Sequence, residues 1–160
     1  MKVFIAVDNS ERSEKTFDWY VANFHKPEND VHVCHEAEQP ELPAMMFADA
    51  IAYPQVEMER IVTEHRKRCE HLKNKYVTKC KEAQLEHCKV HVDTTKSTAS
   101  HAIVKMAEKL EADLIVMGSR GAGLLRRTVM GSVSDYVLHH THIPVLIWHD
   151  PDHHHHHHHH

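Results

Sequence analysis

The chain contains five short runs of apolar residues, at positions 3–7, 31–34, 90–92, 114–117 and 145–148. The runs are rich in β-branched residues, and most are four or five residues long. Short apolar runs of this composition are typical of buried β-strands. We therefore predict five strands in a sheet that is covered on both faces.

Segments with apolar residues at spacings of three and four separate these runs and predict helices. The first carries Phe17, Val21 and Phe24 and begins near Ser10 or Ser13, either of which is a suitable N-cap. A long helix is predicted over about residues 56–83. The apolar face of that helix would consist of Met58, Ile61, Val62, His65, Cys69, Leu72, Tyr76 and Cys80. Two later helices carry Ala102, Ile103, Met106, Ala107 and Leu110, and Val129, Val133, Tyr136 and Val137.

The alternation of strands and helices predicts a mostly parallel α/β sheet with right-handed crossovers. Residues 38–54 contain three prolines and are expected to form a long surface loop. No internal repeat or linker is evident, so we expect one domain over residues 1–150. Residues 151–160 form a tail that ends in eight histidines, which we interpret as a purification tag.

Composition and charge narrow the possible functions. The formal net charge is −4, whereas nucleic-acid-binding domains usually present a basic surface. No apolar stretch approaches the roughly 20 residues that cross a bilayer. Met1 and Lys2 lead directly into a strand-like run, so we expect no signal peptide. These features predict a cytoplasmic protein that binds neither nucleic acid nor membrane.

The four cysteines form no CxxC pair. Cys69 and Cys80 share a face of the predicted long helix but lie about three turns apart, too far for a disulfide. We therefore expect four reduced thiols, as is usual in the cytosol.

Other charged or titratable groups have two interpretations each. His139, His140 and His142 could bind a metal, but cations at a helix C-terminus are favourable without one, and we predict no metal site. Arg126 and Arg127 could reach a γ-phosphate or be solvated loop residues.

All four glycines lie between positions 118 and 131, where a strand leads into a helix. Glycine lets backbone N–H groups approach a ligand closely, and a helix N-terminus has unpaired N–H donors. Together these features favour an anion site, most often for phosphate. Alternatively, the glycines only permit a tight turn.

The spacing Gly118-x2-Gly121-x9-Gly131-Ser132 resembles the ATP-binding signature G-2x-G-9x-G-[S/T] of universal stress proteins. The similarity covers nearly the whole chain ahead of the tag. It implies a single Rossmann-like or flavodoxin-like three-layer sandwich with a five-stranded parallel sheet in the order 3-2-1-4-5. In that order a ligand site lies where the strand order reverses, between strands one and four. The loop at residues 94–98 departs from the family, which usually has a Gly- or Pro-containing turn there.

The resemblance implies that the chain binds ATP or AMP, and Mg²⁺ can accompany the nucleotide. Asp8 at the end of the first strand would hydrogen-bond the nucleotide, or alternatively cap the following helix. The backbone near Glu36 would contact adenine. The full set of residues implied to contact the nucleotide is Val7, Asp8, Glu36, Met117, Gly118, Arg120, Gly121, Gly131, Ser132, Val133 and Ser134.

The resemblance favours a stress-response regulatory protein that acts as a switch-like homodimer. Two alternatives stay open: an ATP-using enzyme with slow hydrolysis, and a nucleotide-free dimeric scaffold. The motifs GxxxxGK[ST], HxGH and SGGxDS are missing from the sequence, so we assign no catalytic residue. The dimer would form through Val145, Leu146, Ile147 and Trp148, because this predicted edge strand is apolar and uninterrupted by charge.

Overall fold

The computed structural model describes residues 1–40, 55–119 and 131–151. Most of the predicted loop, Arg120, Gly121, Arg126, Arg127 and Val129 lie outside these ranges. The strands are β1 (Lys2–Ala6), β2 (Asp30–Glu38), β3 (Cys88–Thr95), β4 (Leu114–Gly118) and β5 (Val145–Trp148). The helices are α1 (Glu11–Asn23), α2 (Gln55–Glu82), α3 (Ala99–Lys109) and α4 (Ser132–His140). All five predicted strands are confirmed, in the predicted order along the chain.

The strands form one parallel sheet in the order β3-β2-β1-β4-β5, as the resemblance implied. Phe4 on the central strand lies opposite His32 of β2 and Ile115 of β4. β2 and β3 extend further than their apolar runs, and their pairing continues to Glu38 opposite Thr95. Main-chain hydrogen bonds between parallel strands do not depend on apolar side chains, so the pairing continues past the apolar runs.

Alternate residues of the strands build a core on each face of the sheet. On one face, Val3, Ile5, Val33 and Val116 pack with Phe17, Tyr20, Leu72 and Tyr76 of α1 and α2. On the other face, Phe4, Cys34, Ile115 and Met117 pack with Ile103, Ala107 and Val137 of α3 and α4. Two helical layers therefore enclose the sheet, which is the three-layer arrangement predicted.

Helix α1 begins as predicted, because the Ser10 side chain accepts the backbone N–H of Ser13 at 3.1 Å. Its buried stripe differs from the prediction. Thr16, Phe17 and Tyr20 are buried, whereas Phe24 is 37% exposed. The helix therefore presents its Thr16–Tyr20 side to the sheet, and Phe24 lies past its end.

Helix α2 is buried only in its second half, contrary to the continuous apolar face predicted for it. Leu72, Tyr76 and Cys80 are buried, but Met58 and Val62 are exposed. A helix of 28 residues spans about 42 Å, whereas strands of five to nine residues span about 17–30 Å. The sheet is therefore too short to cover the whole helix. No helix in the described ranges is long and apolar enough to cross a membrane.

The structure brings Cys80 and Cys88 together, with Cα atoms 6.6 Å apart, which is within the range of disulfide-bonded pairs. The expectation of four reduced thiols did not foresee this contact, while Cys34 and Cys69 are free. The distance between Cys69 and Cys80 along α2 was assessed correctly. The missed contact arises because β3 starts soon after α2 ends and brings Cys88 back beside its last turn.

Candidate functional site

The strand order reverses between β1 and β4, and a cleft opens at the carboxyl ends of these strands. A cavity of about 340 Å³ occupies the cleft. Parallel α/β sheets bind their ligands at such positions. The lining includes Val7, Asp8, Arg12, Lys15, Met117, Gly118, Ser119 and Val133. Five of the residues that the resemblance predicted thus line one cleft: Val7, Asp8, Met117, Gly118 and Val133.

Asp8 is held in place by the first turn of α1. Its Oδ1 accepts the backbone N–H of Ser10 at 2.8 Å and also accepts the Ser10 hydroxyl. Its own backbone N–H donates to Oγ of Ser13 at 2.9 Å. The carboxylate therefore organises the β1–α1 loop, whereas the N-cap of α1 is Ser10 and not Asp8. The same bonds fix its position at the rim of the cleft.

Gly118 ends β4 where helix α1 passes very close to the strand. A Cβ atom at this position would lie 2.7 Å from Oγ1 of Thr16 and 3.2 Å from Cγ of Arg12. The Thr16 hydroxyl cannot easily move, because it donates to the backbone carbonyl of Arg12 at 2.8 Å. Gly118 is therefore required for packing against α1, whatever its contact with a ligand.

Helix α4 begins without a side-chain cap from its N-cap residue. Gly131 is the N-cap, with φ −75° and ψ 164°, and contributes no capping hydrogen bond. Ser134 is buried, and its hydroxyl donates to the carbonyl of Gly131 at 3.0 Å. An uncapped helix N-terminus carries partial positive charge and free donors, which suits an anionic group.

Two cationic residues of the cleft were not identified from the sequence. Arg12 donates from Nη1 to the carbonyl oxygen of Ser119, bridging α1 and the end of β4. Lys15 lies 3.2 Å from Asp150 and 3.7 Å from Glu11. Their spacing could have identified them, because Arg12 and Lys15 lie three positions apart and therefore share one side of the helix that follows Asp8.

A second cavity, of about 290 Å³, lies at the carboxyl end of β2. Val133 lines both this cavity and the cleft, so the two adjoin. Glu36 lines it and is only 6% exposed. Burial, together with the nearby Asp93 carboxylate, raises the pKa of Glu36 to about 7. Glu36, near which the backbone is predicted to contact adenine, therefore lies next to the cleft.

His35 ties the ends of the two strands that carry these cavities. Its Nδ1–H donates to the backbone carbonyl of Val7 at 2.8 Å. The backbone N–H of Val7 in turn donates to the carbonyl of Cys34 at 2.9 Å. The β1 and β2 ends are therefore held at fixed separation.

A larger cavity, of about 660 Å³, lies elsewhere, between α2 and β3. Val62, His65, Cys69, Val92 and Thr94 are among its lining residues. It has neither a strand-order reversal nor a helix N-terminus beside it, so we place the functional site at the cleft.

The histidine cluster near the end of α4 has local partners. His139 lies 3.3 Å from the carboxylate of Asp135. His140 stacks on the ring of Tyr136 with centroids 3.8 Å apart. Across residues 1–40, 55–119 and 131–151, no group of three or more potential ligands could hold a metal ion.

Comparison with known proteins gives a match over nearly the whole chain. The model of the universal stress protein family matches residues 1–149. A universal stress protein of Synechocystis is 27% identical over 151 residues, which cover 91% of this chain and 96% of that relative. One from Methanocaldococcus jannaschii is 41% identical over 63 residues, but this match spans only 39% of this chain and 37% of that relative.

Solved structures with the same fold include two described with a bound nucleotide. A universal stress protein family protein from Arabidopsis thaliana with AMP bound has a TM-score of 0.66 at 20% identity, covering 95% of this chain and 94% of that one. The universal stress protein from Archaeoglobus fulgidus in complex with dAMP has a TM-score of 0.63 at 20% identity, covering 92% and 96%. At these identities the likeness establishes the fold.

Proposed function

Because this chain belongs to the universal stress protein family, we propose that it binds an adenine nucleotide, ATP or AMP, in the cleft between β1 and β4. The observation that carries the proposal is the uncapped N-terminus of α4 beside Asp8 and Gly118 at the strand-order reversal. In the proposed complex the α4 N–H groups, together with the cationic Arg12 and Lys15, attract the phosphates. The AMP and dAMP described in two structural neighbours support this choice of ligand.

The wider function follows from the ligand. We propose a cytoplasmic regulatory protein that switches between nucleotide-bound and nucleotide-free forms as a homodimer joined through β5. Mg²⁺ belongs to this proposal only as a companion of the phosphates of ATP. Slow hydrolysis of ATP and a nucleotide-free scaffold are the competing functions. Mass spectrometry of nucleotides released from the purified, denatured protein separates the scaffold from the binding function.

A matched pair of substitutions at Gly131 tests the phosphate site. The backbone at Gly131 is extended, as N-cap residues normally are, so Asp or Asn at this position is expected to cap α4 without unfolding it. Gly131→Asp adds a negative charge where the phosphate would sit, whereas Gly131→Asn has the same shape without the charge. ATP titrations should show at least tenfold weaker binding for the Asp variant, which is about 1.4 kcal/mol.

Adenosine provides the control ligand, because it has no phosphate. The two Gly131 variants should bind adenosine equally, and circular dichroism should show both to be folded. Equal ATP affinity of the two variants would place the phosphate elsewhere. GTP titrated in parallel tests the adenine assignment, which equal affinities for ATP and GTP would contradict.

A further inference from the structure

Glu36 is a buried acidic side chain with an unexplained oxygen atom. The residue is 6% exposed, and its Oε1 has no hydrogen-bond partner in the part of the chain that the structure describes. Buried polar atoms are nearly always hydrogen-bonded, so such an atom calls for an explanation. A ligand that completes the hydrogen bond is one explanation, and the location of Glu36 agrees with it.

Glu36 lines the cavity that adjoins the cleft, at the carboxyl end of β2. Ala99 at the start of α3 and Val133 on α4 line the same cavity. The N-terminus of α3 does not serve Glu36, because the backbone N–H of Ala99 donates to the Glu38 carboxylate at 2.8 Å. The Glu36 side chain therefore remains available to a group that enters from the cleft.

We propose that the Glu36 side chain, in its protonated form, recognises the adenine base through a paired donor and acceptor. This inference rests on the proposed nucleotide binding and adds a specificity-determining residue to it. A neutral carboxyl group has one O–H donor beside one acceptor oxygen. Adenine offers an N6–H donor beside a ring-nitrogen acceptor, and the amide of glutamine, which has the shape of a protonated glutamate, pairs with that edge.

The surroundings of Glu36 favour the protonated form. Burial and the Asp93 carboxylate opposite it on β3 raise the pKa of Glu36 to about 7. The other titratable groups that line the cavity are His35 and Glu38 on β2 and His65, Arg68 and Cys69 on α2; α3 and α4 contribute the apolar Ala99 and Val133. Burial and the Glu36 and Asp93 carboxylates keep Cys34 a neutral thiol by raising its pKa. Arg68 lines the same cavity, but the charge that shifts the pKa of Glu36 is that of Asp93, which favours the protonated form.

Adenine affinity should consequently fall as pH rises. An ionised carboxylate only accepts hydrogen bonds, so it loses the donor that the ring nitrogen of adenine requires. It matches guanine better, since guanine has N–H donors on adjacent atoms. The preference for ATP over GTP should therefore be greatest below neutral pH and shrink above it.

Glu36→Gln is the matched control, because it keeps the donor–acceptor pair and does not titrate. Both proteins are titrated with ATP at pH 6 and 8.5, and the ratio of their dissociation constants is taken at each pH. Ionisation of the phosphates affects both proteins equally and cancels in this ratio. With a midpoint near 7, the wild-type dissociation constant relative to that of Glu36→Gln should rise about thirtyfold. Glu36→Leu should bind ATP at least tenfold more weakly than wild type at pH 6.

Asp93→Asn tests the origin of the pH dependence. Without the neighbouring negative charge, Glu36 should ionise at lower pH, and the loss of ATP affinity should begin earlier. Carbon NMR of the Glu36 carboxyl group gives a readout that needs no nucleotide. Its midpoint should lie well above that of an exposed glutamate and rise further when ATP binds.

The outcomes separate this inference from the proposed function. A constant ratio of wild-type to Glu36→Gln affinity across pH, or full ATP binding by a folded Glu36→Leu, would overturn adenine recognition by Glu36 and leave nucleotide binding intact. Failure of wild type and every variant to bind any adenine nucleotide would overturn both.

Discussion

The hydroxyl of Tyr76 lies 2.9 Å from Oγ of Ser13 in the buried contact between α2 and α1. The same Ser13 oxygen accepts the backbone N–H of Asp8 at 2.9 Å. Tyr76 is fully buried, and its ring meets Phe17 edge-on with centroids 5.7 Å apart. Burial raises the pKa of the Tyr76 hydroxyl, so the hydroxyl keeps its proton in this contact. A hydrogen-bonded chain thus connects α2 to the rim of the proposed nucleotide site.

Removing either hydroxyl should therefore destabilise the protein. Tyr76→Phe keeps the ring contact and should lower the free energy of unfolding by about 1 kcal/mol. Ser13→Ala also deprives the Asp8 N–H of its acceptor and should cost about 1–3 kcal/mol. Urea denaturation of both variants and of the double variant measures the coupling, expected to be at least about 0.5 kcal/mol. Strictly additive losses would show that the two hydroxyls do not interact.

Gly118 yields a prediction that needs no ligand. Gly118→Ala should lower the free energy of unfolding by about 1–3 kcal/mol, because its Cβ would overlap Oγ1 of Thr16. Thr16→Ala removes the overlapping atom, so the double variant should lose less stability than the two single losses combined. Thr16→Val keeps an atom at that place, so it should not relieve the overlap and serves as the control. Urea denaturation measures the cost of Gly118→Ala in the Thr16→Ala and Thr16→Val proteins. The same cost in both would contradict a packing function for Gly118.

Much of the fold was predictable because it depends on local pattern. Each strand has its own apolar run, and a strand that enters a helix through closely spaced glycines is visible without knowing its neighbours. The order of strands in the sheet came from the resemblance, since no local pattern specifies which strand lies beside which. The burial of α2 was overestimated because its spacing of apolar residues continues where the sheet no longer covers it.

The site was predictable in outline and not in its contacts. Arg12 reaches the carbonyl of Ser119, which is 107 positions away, and no sequence pattern indicates such a bond. Glu36 reads as a polar residue after a strand, so its burial appears only once α3 and α4 cover that face. The contact of Cys80 with Cys88 similarly depends on the turn that joins α2 to β3.

Stability should depend on pH through Glu36. Its pKa is about 7 in the folded chain against an ordinary value of 4.5, so the folded state binds more protons between these values. The free energy of unfolding contributed by Glu36 is therefore fully present below pH 4.5 and is lost as pH rises to about 7. Glu36→Gln lacks this loss, and its stability relative to wild type should increase by about 3 kcal/mol across that window. Urea denaturation of both proteins at several pH values measures the difference, and a constant difference would contradict a raised pKa.

The last prediction concerns the proposed dimer through β5, which lies at the edge of the described sheet. The carbonyls of Pro144 and Trp148 accept N–H groups of Ile115 and Ser119 at 2.9 Å. Backbone groups of alternate residues point to opposite sides of a strand, so Val145 and Ile147 direct theirs to the open edge. A second copy pairing with this edge would need them.

Ile147→Pro removes one outward N–H group and leaves the bonds to β4 intact. Proline is tolerated on edge strands, so the variant should stay folded with a loss of about 1–2 kcal/mol from reduced packing. Light scattering after size exclusion should show a dimeric wild type, a monomeric Ile147→Pro, and a dimeric Ile147→Val, which retains the N–H. A monomeric wild type at micromolar concentration, or a proline variant that dimerises like wild type, would rule out pairing through β5. Because the test removes a backbone donor while keeping an apolar side chain, loss of the dimer would point to strand pairing rather than to general hydrophobic contact.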